Sequence, residues 1–173
     1  MSASAREEER AADRYLRRKI QMEKIASFRV DHNKLLPGIY VSRIDGDIVT
    51  YDIRMRRPNV PPFLSNPALH TIEHLFATFA RNSDYGPNVI YFGPMGCRTG
   101  FYFLLRNVPK ADAVKLIIRI FRQISEYEGE IPGAKASECG NYLEHSLEGA
   151  VREAGEFLPV IENWNEEKLN YEA

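Results

Sequence analysis

Two cysteines and one tryptophan in 173 residues are the scarcest chemistry this chain carries. So few thiols argue against a disulfide framework, and read better as a metal ligand, a nucleophile or buried filler. Charge of one sign is missing too. Lys and Arg number 23 against 24 Asp and Glu, a formal net of −1, so no global field favours nucleic acid or an anionic membrane. No apolar run approaches the roughly 18 residues that a membrane-spanning helix needs. The opening stretch has no apolar segment of the secretory kind, and the expected compartment is the cytoplasm. The chain shows no internal repeat, and its length suits one domain with one sizeable core.

What is present divides unevenly. Residues 1–24 hold 12 charged side chains and little that is apolar beyond Leu16 and Ile20, which reads as a solvated helix or tail. Residues 25–173 are expected to form a single catalytic domain. Gly38–Ile44 and Ile48–Met55 are rich in β-branched and aromatic residues, and Asp45-Gly46-Asp47 between them has turn chemistry, so they predict a hairpin. Prolines from Pro58 to Pro62 predict a loop. Asn66-Pro67 opens a helix, with Asn66 as the cap and Pro67 at the first helical position. Its core stripe would be Leu69, Ile72, Phe76 and Phe79. A second hairpin runs in over Asn88–Phe92 and out over Phe101–Leu105, around a glycine-rich connection. A longer amphipathic helix covers about Ala111–Tyr127, with Gly129 as its stop, and a last helix follows Ser146. Hairpins interleaved with helices predict a two-layer α+β fold, with helices on one face of a mostly antiparallel sheet.

The informative run is His70-Thr71-Ile72-Glu73-His74. On a helix, positions four apart share a face about 6 Å apart, so two neutral imidazoles there can chelate one ion. Glu73 points to nearly the same side and suits a general base that is not itself a ligand. The residue order is also that of the inverted zinc-peptidase motif, which makes a metallopeptidase the rival reading. A catalytic ion needs a third protein ligand. Cys139, in a loop ahead of the last helix, is one candidate. Cys97 is another: it lies at a hairpin tip among glycines, with Arg98 beside it as a cation that favours a thiolate. Physical reasoning on the sequence leaves the two thiols interchangeable.

Five stretches taken together resemble a known family, the S-ribosylhomocysteine lyases of the LuxS type. They are residues 25–32 (IASFRVDH), 51–54 (YDIR), 70–75 (HTIEHL), 93–102 (GPMGCRTGFY) and 138–140 (ECG), with 147–150 (LEGA) extending the match into the last helix. The resemblance implies that His70, His74 and Cys139 hold one divalent metal per chain, ferrous iron in the cell, with zinc or cobalt able to substitute. It implies Cys97 and Glu73 as the acid/base pair, and Ser27, His32 and Arg54 as substrate contacts. It further implies a homodimer with active sites at the interface, no nucleic-acid or membrane partner, and the conversion of S-ribosylhomocysteine to homocysteine and the autoinducer-2 precursor. One stretch departs from that pattern. Many members have Asp-Ile-Ser before the Pro-Met-Gly-Cys run, where this chain has Tyr91-Phe92-Gly93. A carboxylate and a hydroxyl are therefore missing near Cys97, which would leave Arg98 more of the task of tuning the thiol.

Overall fold

The computed structural model describes residues 10, 24–25 and 28–171. The reading of residues 1–24 as a solvated tail, and the assignment of Ser27 as a substrate contact, lie outside the described residues, Arg10 and Lys24 apart. Among the described residues, four strands form one antiparallel sheet: β1 (Gly38–Asp45), β2 (Ile48–Arg54), β3 (Val89–Pro94) and β4 (Gly100–Arg106). Their spatial order is β1-β2-β4-β3, so the two hairpins meet through β2 and β4. Three α-helices over residues 28–171 pack with it: α1 (Asn66–Arg81), α2 (Lys110–Ser125) and α3 (Leu147–Ile161). This is the expected α+β arrangement. Among the described residues, no helix is long and apolar enough to cross a membrane.

Strand alternation divides the sheet into two faces with different tasks. Ile39, Ile53 and Phe101 are in register across β1, β2 and β4 and are fully buried on the helix side. Tyr40, Asp52 and Tyr102 are in register one residue along, and so point to the other side. On the helix side the aromatics chain the layers together. Phe92 stacks on Phe76 of α1 at 3.8 Å, Phe76 meets Phe121 of α2 edge-on, and Phe121 meets Phe157 of α3. Each such pair contributes about 0.5–1.5 kcal/mol beyond its buried area and, more to the point here, sets how α1 is rotated.

Local details differ from the sequence expectation in instructive ways. The cap of α1 is Ser65, whose Oγ accepts from the Ala68 amide, and Asn66 and Pro67 are the first two helical residues. Either residue type caps well; the chain's entry angle selected the serine. Helix α2 stops at Ser125 rather than running to Tyr127 before Gly129. Its last amides turn back onto Arg122 and Ile124 carbonyls, and no glycine is needed. Phe79 and Ile118 are only half-buried at the edge of the core. The strands β3 and β4 are longer than expected, shortening the glycine-rich connection to residues 95–99. Helix α3 starts after Ser146 as expected, and Ser146 caps it, accepting from the Gly149 amide.

Candidate metal centre and thiol site

Burial of Leu69, Ile72, Leu75 and Phe76 in the core turns the other flank of α1 toward the segment from Ile131 to His145. On that flank His70 and His74 sit with ring centroids 4.7 Å apart. His70 Nδ1 lies 3.0 Å from the Glu144 carbonyl, and His74 Nδ1 lies 2.8 Å from the Pro132 carbonyl. A carbonyl only accepts, so each Nδ1 carries the proton and each Nε2 keeps its lone pair. Both lone pairs face the Cys139 sulfur, with Nε2 to Sγ distances of 3.4 and 3.9 Å. Gly133 makes the turn that aims Pro132 at His74. Its φ is +70°, and a β-carbon there would press on His74 Nδ1.

A fourth donor joins them that the sequence reading did not name. His145 stacks on His70 at 4.0 Å, and its Nε2 is 3.9 Å from the Cys139 sulfur. Its tautomer follows from counting protons. Thr71 Oγ1 spends its single hydrogen on the Pro67 carbonyl at 2.8 Å and accepts from the Ser146 amide. Toward His145 Nδ1, 3.2 Å away, it can only accept again, so Nδ1 is protonated and Nε2 is the free donor. Burial, then the neighbouring His70 and His74, lower the His145 pKa and keep the ring neutral. The ligand atoms of His70, His74, Cys139 and His145 all lie within 4.8 Å of one another. Three imidazoles and a thiol in this tautomeric state are a donor set that fits a borderline divalent ion. Glu73 is half-buried on the same helix and stands outside this group.

The other predicted residues assemble elsewhere. Arg54, His32 and Cys97 line one open cavity of about 580 Å³, together with Phe28, Phe63 and Tyr102. Cys97 is exposed at its mouth. Arg54 is 2% exposed on the face of the sheet away from the helices. Its Nη2 donates to Asp52 at 2.6 Å, and its Nη1 donates to Thr99 Oγ1 at 2.6 Å and lies 3.9 Å from Cys97 Sγ. Thr99 Oγ1 is itself 3.0 Å from that sulfur. Burial works against the Arg54 charge, but Asp52 outweighs it and the guanidinium pKa is raised. Burial and then the Asp52 charge raise the Tyr102 phenol, so it faces the cavity as a neutral donor. The cation that the structure places against the thiol is therefore Arg54, a role the sequence suggested for Arg98. Arg98 is exposed, and its carbonyl is engaged by the Leu64 amide. Asp52 and Thr99 were not singled out from the sequence; their signal was that polar residues flank Arg54 and Cys97 at strand spacing.

The departure at Tyr91-Phe92-Gly93 also has a structural form. A β-carbon at Gly93 would collide with the Tyr91 hydroxyl. Tyr91 and Gly93 are thus one change rather than two: the missing side chain at 93 makes room for the phenol at 91.

Residues 25–168 match the family model described as S-ribosylhomocysteinase (LuxS). The chain belongs to the S-ribosylhomocysteinase family. Its relatives include proteins named S-ribosylhomocysteine lyase from Clostridium beijerinckii, 51% identical over 157 residues, and from Porphyromonas gingivalis, 50% identical over 157 residues. A third, from Borreliella afzelii, is 47% identical over 156 residues. In each case the match covers 87% of this chain and 99% of the relative. The matched residues 25–168 include both the metal cluster and the thiol cavity.

Proposed function

We propose that this protein is an S-ribosylhomocysteine lyase. It cleaves the thioether of S-ribosylhomocysteine to homocysteine and 4,5-dihydroxypentane-2,3-dione, the autoinducer-2 precursor. The observation that carries the reading is an imidazole–thiol cluster with its lone pairs turned inward, in a chain of this family. The metallopeptidase alternative is disfavoured, because no carboxylate belongs to the cluster among the described residues. The test is release of a free thiol from the ribosyl thioether, sensitive to chelators, with no cleavage of casein. A chain that cleaved casein and released no thiol would reverse the assignment.

The chemistry explains why two kinds of site are needed. A thioether leaves readily only when a carbonyl lies two carbons away, and the sugar's carbonyl starts too far along the chain. Two carbonyl shifts and an elimination are required, each moving a proton off carbon. A divalent ion held by His70, His74 and Cys139 would supply Lewis-acid polarisation of a sugar oxygen. In this reading Cys97 takes and returns the carbon-bound protons, with Arg54 and Thr99 stabilising its thiolate by charge and hydrogen bond. Glu73 moves protons on oxygen from its position between the histidines. His32 and Arg54 orient the substrate in the cavity beside Cys97, and Ser27 joins them by family resemblance. Two imidazoles and a thiolate accept iron, zinc or cobalt alike and do not fix the ion; ferrous iron is proposed as the resident ion on family resemblance. The cytoplasm is the proposed compartment, where the two thiols stay reduced.

A homodimer with shared active sites belongs to the same proposal. The cavity at Cys97 opens on the sheet face away from the helices, whereas the metal cluster lies on the helix layer. They have no lining residue in common. Both carry exposed apolar side chains: Phe28 at the cavity, and Tyr142 and Leu143 in the loop between Cys139 and His145. Mixing inactive His70→Ala and Cys97→Ala chains should restore about a quarter of wild-type turnover per chain, because half the re-paired dimers then hold one intact site. No recovery on proven subunit exchange would mean that each site is built from one chain.

His145 bears on how the ion is held. Its Nε2 stands as far from the thiol as that of His74, but a catalytic ion keeps one position open for substrate. His145→Ala is expected to retain the ion with affinity lowered about 10- to 100-fold, the usual cost of a supporting residue. Competitive chelator titration measures this. A loss as large as that of His70→Ala would make His145 a full ligand.

A further inference from the structure

The segment after α3 reaches back across the sheet to the thiol site. Leu169 is buried, and its carbonyl accepts from the Val41 amide at 2.7 Å. The Trp164 indole donates to the Ile39 carbonyl at 2.7 Å, and its ring covers Gly38 so closely that a β-carbon would collide with it. These contacts cover the edge strand β1 and deliver Tyr171 to the face opposite the helices, where it stacks on Tyr40 at 5.0 Å. From there the Tyr171 hydroxyl donates to Asp52 Oδ2 at 2.9 Å, across 119 residues of sequence.

Asp52 is 1% exposed, and the other atom of its carboxylate, Oδ1, has no hydrogen-bond partner. All the support that its buried charge receives by hydrogen bonding, among the described residues, therefore falls on Oδ2. Two donors meet there, Arg54 and Tyr171. Arg54 continues the chain to Thr99 and to the Cys97 sulfur. Burial, and then the Asp52 charge, push the Tyr171 pKa far above the ordinary phenol range, against a hydrogen bond from Ser42. Tyr171 is a donor at every working pH.

We propose that Tyr171 is a positioning residue for the reaction: its hydroxyl holds Asp52, which aims Arg54 at Thr99 and Cys97. The inference rests on Cys97 being the reacting thiol. It assigns work to a segment that lines neither the cavity at Cys97 nor the metal cluster. Without the hydroxyl, the Asp52 charge is left less neutralised beside Arg54. The guanidinium is drawn toward Asp52 and supports the thiolate less well. Among the described residues of the same chain, the titratable and charged groups around that thiol are Arg54 and Asp52 from β2, Tyr102 from β4, and His32 from the preceding loop. Tyr171→Phe leaves all of them in place and keeps the ring on Tyr40.

The experiment follows iodoacetamide alkylation of Cys97 against pH in metal-loaded enzyme, read by mass spectrometry of the peptide that carries it. Thiol release is measured alongside. In Tyr171→Phe, alkylation near neutral pH should slow about threefold to tenfold, and its pH midpoint should move upward, the loss expected for one hydrogen bond to a buried charge. kcat should fall by a similar factor with KM little changed. Tyr171→Ala should reproduce the alkylation shift and also lower the melting temperature. A wild-type alkylation profile in Tyr171→Phe overturns the proposal. So does an Ala variant that loses stability with an unchanged profile, since the residue would then only pack. Because alkylation needs no substrate, a wild-type enzyme that released no thiol would sink the lyase reading while leaving this test intact.

Discussion

Replacing His70 with alanine is expected to empty the metal cluster and abolish thiol release while leaving the fold in place. The two consequences separate because α1 uses different flanks for them. Leu69, Ile72, Leu75 and Phe76 are buried in the core, whereas His70 is half-buried and reaches across to Glu144 and Cys139. The ring can be removed without opening a core cavity, so the melting temperature of the apo protein should change little. Metal affinity should fall far enough for the ion to be lost on desalting. Zinc binding to four-ligand sites is worth about 10–16 kcal/mol at neutral pH, which is roughly 2.5–4 kcal/mol per ligand and a loss of about 10²–10³-fold in affinity. His74→Ala should behave alike, with one addition: the Pro132 carbonyl loses its partner, and the turn at Gly133 loses its anchor. Metal analysis after desalting, beside circular dichroism and the thiol assay, reads all three effects. A His70→Ala protein with a full complement of metal would remove His70 from the ligand set.

The two cysteines should part company just as sharply. Cys139 faces three imidazole Nε2 atoms, while Cys97 faces a guanidinium and a hydroxyl. Cys139→Ala is therefore expected to lose or greatly weaken the ion, since a thiolate is the softest donor present. Cys97→Ala should keep the ion and still bind substrate, while thiol release falls by a factor on the order of 10² to 10⁴, the usual worth of a positioned acid/base group. Cys97→Asp offers a further test. A carboxylate beside Arg54 can carry a proton as the thiol does, so part of the lost activity should return. The measurements are metal content, substrate binding and homocysteine release on the three variants together. Should Cys97→Ala lose the ion and Cys139→Ala keep it, the roles are reversed.

The elements were legible because their signals are local. Alternating β-branched residues around Asp45-Gly46-Asp47 and around residues 95–99 mark the hairpins, and the spacing of Leu69, Ile72 and Phe76 marks α1. The misplaced cap and the overrun of α2 are errors of a residue or two at helix ends, where neighbouring side chains compete to satisfy the same amides. The pairing of His70 with His74 also needed nothing beyond one helical turn.

What the sequence by itself determined is therefore the layer architecture, the chelating pair on α1 and, through resemblance, the family and the residues to examine. Tertiary structure decided the rest, because the deciding contacts join residues far apart in the chain. His145 becomes a donor through Thr71, 74 residues away, and only the proton count at that hydroxyl shows which ring nitrogen is free. The cation in contact with Cys97 is Arg54, 43 residues upstream. Neighbours in sequence at a tight turn point apart, while strands paired across β2 and β4 bring distant residues to the same end of the sheet. The Tyr171 bond to Asp52 exists because the segment after α3 is held along β1 by contacts of its own. No periodicity encodes such a contact. It depends on where the chain returns, and that is settled by packing.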